Sequence, residues 1–191
     1  LRKFKQEEKR IDIYLKQYSL DEFSSYHVEE HPELQKLLSG VYVPLKQELD
    51  EWVNASYTNN PKEPQKLIHK TIPGILVRSK SEALIINALF EHKIPFRYEC
   101  LLQIQNVSIY PDFTIRHPVT GEVYYWEHFG MMDDSIYVKN AIKKIEQYGK
   151  SGYVQGRNFI ATFESKEAPL NTVTINRAIQ DYSLDAVAHN F

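Results

Sequence analysis

Three carboxylates occupy positions where an unpaired charge is costly. Asp112 interrupts the strand-forming run IYPDFTI (109–115), Glu127 sits between Trp126 and His128 in YYWEHF (124–129), and Glu82 ends SKSE (79–82). Ionised side chains are disfavoured in strands and expensive to bury alone. Acids gathered at one point repel, and their pKa values climb unless a cation neutralises them. Oxygen ligands without a thiolate suit Mg²⁺ or Mn²⁺ rather than zinc. A divalent-ion site is therefore the chemistry these residues are able to do.

Each acid also has a plainer reading. SKSE matches a capping box, with Ser79 as cap and Glu82 reaching back to its amide. Yet Ile85, Ile86, Leu89 and Phe90 follow Glu82 at helical spacing, which aligns Glu82 with the apolar stripe. Asp112 reads equally as an edge-strand acid facing water, and Glu127 as a solvated strand residue. Two strands joined by a tight turn would bring Asp112 and Glu127 within reach of one ion.

The elements that must position these residues follow from periodicity and punctuation. RSKSEALIINALFEHK reads as a helix, and FRYECLLQI and SIYPDFTI as strands. HPVTGE is a hairpin turn leading into a third strand, VYYWEHF. DDSIYVKNAIKKIEQYG is a helix opening at an Asp/Ser cap, NFIATFES a fourth strand and NTVTINRAIQDYSL a terminal helix whose start is also compatible with a strand. The expected sheet core is Tyr98–Ile104, Ser108–Ile115, Val123–His128 and Asn158–Phe163. Alternation puts Asp112 on one strand face with Tyr110 and Thr114.

Upstream, LRKFKQEEKRIDIYLKQY (1–18) carries Leu1, Phe4, Ile11, Leu15 and Tyr18 on a heptad-like stripe that Glu8 breaks. It reads as a helix packing on its own domain, or one joining a homodimer or an upstream domain. HPELQKLLSG and VPLKQELDEWV are further helices. The turn-rich TNNPKEPQK (58–66) sets the expected boundary between a helical N-terminal extension, residues 1–66, and an α/β domain, residues 67–191.

The whole chain sets the limits. Its 191 residues, 42% hydrophobic, are enough for a sizeable core. A formal net charge of −2 shows no overall basic bias, though a local basic groove remains compatible with it. The single Cys100 excludes an internal disulfide framework and suits a reducing cytoplasm. No run of about 18 apolar residues reads as a membrane span.

On the order αβββαβ, SE at 81–82, PDFTI at 111–115 and WEH at 126–128 resemble the PD-(D/E)XK nuclease superfamily, over about residues 75–165. RSKSE, PDFTI and YYWEHFGM together resemble a bacterial branch of it. The resemblance implies a restriction-endonuclease-like core, in which a central mixed sheet is flanked by helices. It implies a Mg²⁺- or Mn²⁺-dependent nuclease acting on nucleic acid, with DNA the expected polymer. Asp112 and Glu127 would then be metal ligands, with Glu82 assisting directly or through water.

The motif expects Lys two residues after Glu127, where this chain has Phe129. Lys144 is the expected replacement, because Tyr137, Ala141, Lys144 and Tyr148 form a helical stripe that turns it toward the sheet. Not being a ligand, Lys144 is expected to leave metal affinity unchanged. His128 would donate to substrate or orient Glu127, unless it is a packed strand histidine. Arg78, Lys80, Lys139, Lys143 and Lys150 are the expected phosphate-binding rim. The competing reading, favoured by Phe129, is a catalytically inactive nuclease-like module that binds nucleic acid or protein.

Overall fold

The computed structural model describes residues 45–104 and 107–184. The helices expected at 1–18 and 31–40 lie outside the described residues. The chain is mixed α/β, with four helices and a four-stranded mixed sheet among the described residues. Helix α1 is Leu45–Asn54, and a 3₁₀ turn at Pro64–Lys66 leads to a short hairpin of β1 (His69–Lys70) and β2 (Leu76–Val77). Then come α2 (Lys80–Glu91), β3 (Phe96–Tyr98), β4 (Leu102–Ile104), β5 (Val107–Ile109), β6 (Phe113–Arg116), β7 (Val123–Phe129), α3 (Ser135–Lys150), β8 (Phe159–Phe163) and α4 (Thr172–Asp181).

The central sheet runs β3-β6-β7-β8, with two antiparallel pairings followed by a parallel one. The β6–β7 connection is the expected hairpin turn, closed by His117 N–H on the Glu122 carbonyl (2.8 Å). The crossover from β7 to β8 is helix α3, as a parallel pair requires. Three α-helices open on a capping side chain: Ser79 for α2, Asp134 for α3 and Asn171 for α4.

Period-2 alternation divides the core between the two sheet faces. On one face, Phe113, Ile115, Trp126 and Ile160 meet Ile85, Ile86 and Leu89 of α2 and Ile175 and Ile179 of α4. On the other, Tyr125 and Phe159 meet Tyr148 of α3, with Ile104 and Ile109 of the β4–β5 hairpin. Phe90, which the period assigns to the apolar stripe, remains exposed.

Two expected strands are broken. The run 98–104 turns at Glu99, whose φ of 45° is left-handed. Residues 102–104 then pair with 107–109 in a separate two-stranded sheet. The run 108–115 stops at Ile109 and resumes at Phe113. Pro111 has no N–H to give a ladder, so the break falls beside it. Asp112 thus lies just before β6 rather than within a strand, although its carbonyl still accepts from Glu99 N–H (3.0 Å).

A left-handed non-glycine residue needs support from its surroundings. Glu99 has it in Arg78, which forms a two-pronged ion pair with both carboxylate oxygens (2.7 and 2.9 Å). Arg78 also donates to the carbonyls of Lys62 (2.6 Å) and Glu63 (2.9 Å). Leu101 N–H bonds the Thr58 carbonyl (2.9 Å), and the Arg97 guanidinium lies over the rings of Trp52 (4.4 Å) and Tyr57 (4.8 Å). The part of the expected extension from Leu49 to residue 66 is therefore tied to the sheet, and Leu49 onward belongs to one compact unit.

Candidate active site

Adjacent strands β6 and β7 bring the first two acids together. Their register pairs Thr114 with Tyr125 and Phe113 with Trp126, and one further step sets Asp112 across from Glu127. Paired residues of an antiparallel ladder share a face, here the one covered by α3. The His128 backbone N–H donates to Asp112 Oδ2 at 2.7 Å, which fixes the carboxylate. Glu127 is 1% exposed.

Helix α3 supplies the partners of Glu127. Lys144 Nζ donates to Oε2 and the Tyr148 hydroxyl to Oε1, both at 2.6 Å. These two residues are four apart, hence neighbours on one helical face. The Asp134 cap, accepting from Ile136 and Tyr137 N–H, starts the helix in the phase that aims this face at the sheet. A cavity of about 190 Å³ lies between, and its lining includes Asp112, Glu127, Phe129, Tyr137, Asn140 and Lys144.

Burial, and then the charge of Glu127, push the Asp112 pKa well above the usual carboxylate range. Lys144 and the His128 amide pull the other way without cancelling this, and Glu82 adds a smaller upward push. Burial works against the Lys144 ammonium, yet Glu127 and Asp112 hold its pKa above the ordinary lysine value. Burial, followed by Glu127, raises the Tyr148 pKa far enough to keep its hydroxyl a donor.

Glu82 is used differently. Its Oε2 accepts from Arg78 N–H (3.0 Å) and from the Tyr98 hydroxyl (2.6 Å), while Ser79 Oγ accepts from Glu82 N–H (3.1 Å). It completes the start of α2, one residue upstream of the amide a capping box would use. Among the described residues, no group of three or more His, Cys, Asp or Glu side chains is arranged to hold a metal ion. Glu82 does not line the cavity because α2 packs on the opposite sheet face.

The His128 ring is also on that opposite face. Its Nδ1 is 3.0 Å from Thr162 Oγ1, which accepts the Trp126 indole N–H at 3.0 Å. Its Nε2 lies 3.6 Å from Glu164 Oε1, beyond hydrogen-bond length, and Ser81 Oγ is 2.9 Å from both Glu164 oxygens. Burial depresses the His128 pKa against the opposing pull of Glu164. His128 thus orients Asp112 through its amide rather than orienting Glu127 through its ring. Thr162→Val is expected to cost about 1–3 kcal/mol in urea unfolding, because it leaves two buried polar groups without their partner. A cost near zero would show that the Trp126–Thr162–His128 chain does not stabilise the sheet.

The expected basic rim does not assemble around the cavity. Arg78 is committed to Glu99. Lys80, Lys139, Lys143 and Lys150 are exposed. At about 100° per residue, Lys139, Lys143 and Lys150 share the outer face of α3, opposite Ala141 and Tyr148. Phe129, at the motif's lysine position, is buried and stacks on Phe163, with ring centroids 5.4 Å apart.

The hydroxyl clamp from Tyr148 is the feature that sequence reasoning passed over. Its signal was present in the stripe that contains Lys144. A tyrosine among apolar residues, four positions from the inward lysine, needs a polar partner for its hydroxyl. Comparison of the chain with models of protein families, with curated proteins and with solved structures found no match to any of them.

Proposed function

We propose that this chain is a metal-dependent nuclease of the PD-(D/E)XK type, hydrolysing phosphodiester bonds in nucleic acid, with DNA the expected polymer. The observation that carries this reading is the convergence of Asp112, Glu127 and Lys144 on one cavity, with Lys144 Nζ 2.6 Å from Glu127. The order α2, β3, β6, β7, α3, β8 supports a restriction-endonuclease-like core, with the β4–β5 hairpin inserted between its first two strands.

The donor set fits Mg²⁺ or Mn²⁺. Such ions are commonly held by one or two carboxylates, with water and substrate phosphate completing the shell. The raised pKa of Asp112 marks a place where added positive charge is favourable. Asp112 and Glu127 would hold the ion, which when bound would polarise the scissile phosphate and lower the pKa of water. Lys144 places a second positive charge where negative charge develops. Tyr148 keeps the Glu127 carboxylate from rotating, and the His128 amide does the same for Asp112.

The burial of Phe129 favours the second reading, a nuclease-like module without activity that binds nucleic acid or protein. The two are separated by incubating the chain with single- and double-stranded DNA and RNA in Mg²⁺, Mn²⁺ or chelator. Cleavage is expected with either ion and none with chelator. Retained nucleic-acid binding with no cleavage under any condition would decide for the inactive module.

A further inference from the structure

Both oxygens of Glu127 already have partners, and the two partners differ in kind. Tyr148, which holds Oε1, is fully buried and neutral, and its ring packs in the core with Tyr125, Tyr153 and Phe159. Lys144, which holds Oε2, is charged and its side chain keeps 35% of its surface exposed. Glu127 itself is 1% exposed and confined to its strand. Of the three groups, only Lys144 has solvent to move into.

We propose that Lys144 is a built-in counter-ion that competes with the divalent cation for Glu127, so that metal binding requires the Lys144–Glu127 pair to loosen. The inference rests on the reading of Asp112 and Glu127 as metal ligands. In metal-free protein the ammonium offsets part of the repulsion between the two carboxylates. A divalent ion drawn to those same carboxylates meets that ammonium as a like charge. The arrangement explains how the acids remain together without metal. It also replaces the expectation that metal affinity is indifferent to Lys144: removal of its charge strengthens binding.

The test is titration calorimetry with MnCl₂ alone on the full chain, comparing wild type with Lys144→Gln, Lys144→Arg and Asp112→Asn. Lys144→Gln keeps a donor for Glu127 and removes the charge. Its Mn²⁺ affinity is expected to rise about tenfold, the scale of one partly buried ion pair. Lys144→Arg keeps the charge and is expected to bind as wild type does, and Asp112→Asn to lose most binding.

Equal or weaker affinity in Lys144→Gln, with binding still abolished by Asp112→Asn, overturns the competition and leaves the metal-site reading intact. Binding unaffected by Asp112→Asn, or no binding in any protein, overturns both. Melting temperatures with and without MnCl₂ cover a Lys144→Gln that unfolds during titration. Its Mn²⁺-induced rise is expected to exceed that of wild type, and an equal or smaller rise overturns the competition.

Discussion

Asp112→Asn is expected to lower metal-dependent cleavage by about 10³-fold, the upper range for removal of one positioned electrostatic group, while the metal-free protein becomes more stable at neutral pH. The two effects have a common cause. Asp112 is held where its charge is disfavoured by burial and by Glu127, so its pKa is raised above the ordinary carboxylate value. A carboxyl whose pKa is raised on folding binds protons more tightly in the folded state. Its favourable contribution is complete below about pH 4, the unfolded value, and is lost as pH rises through the folded pKa. Asparagine cannot ionise and retains an oxygen for the His128 amide. The stability gain of Asp112→Asn should therefore grow with pH across that window and disappear in acid. Melting curves in chelator from acid to neutral pH measure it. Unchanged cleavage would remove Asp112 from the ligand set, and a gain that grew toward acid would reverse the electrostatic account.

Lys144→Ala is expected to reduce cleavage by about 10²-fold, the usual scale for losing a group that stabilises developing charge. Lys143→Ala is the control, because Lys143 is exposed and absent from the cavity lining. Metal affinity should move the other way and increase in Lys144→Ala, for the reason argued above. Stability should fall, because Glu127 is left buried without its cation. The loss should stay below the about 3–5 kcal/mol of a fully buried pair, since Lys144 keeps 35% of its side chain exposed. Single-turnover cleavage at saturating metal separates the rate from the affinity. Small and equal effects of the two lysine variants would rule out a role for Lys144 in the chemistry.

Much of this site was legible before any tertiary contact was known. Backbone geometry repeats, so apolar spacing revealed helices α2, α3 and α4, and Ser79 and the Asp/Ser pair at 134–135 marked the starts of the first two, whereas the Asn171 cap of α4 emerged only in the structure. The hairpin turn at 117–122 was enough to bring Asp112 and Glu127 within reach of each other, and the register between β6 and β7 then set them on one face. The stripe through Tyr137, Ala141 and Tyr148 was enough to turn Lys144 inward. These features depend on residues close in the chain, whose relative directions are set by helix and strand geometry.

What only the tertiary structure decided involves partners distant in the chain. Local strand propensity continues through YECLLQI, yet the chain turns at Glu99 because Arg78, 21 residues earlier, pairs with its carboxylate. Glu82 lies on a helix face that both a cap and a metal ligand would use, and the Tyr98 hydroxyl takes one of its oxygens. His128 has a face given by alternation, but its amide's bond to Asp112 depends on the register between β6 and β7. The lysines 139, 143 and 150 resemble a phosphate rim in composition, but the side of α3 that packs on the sheet turns them away from the cavity. A sequence displays the period of each element. The partner that each polar group finds depends on how separate elements pack, and at this site that choice determines which charges meet.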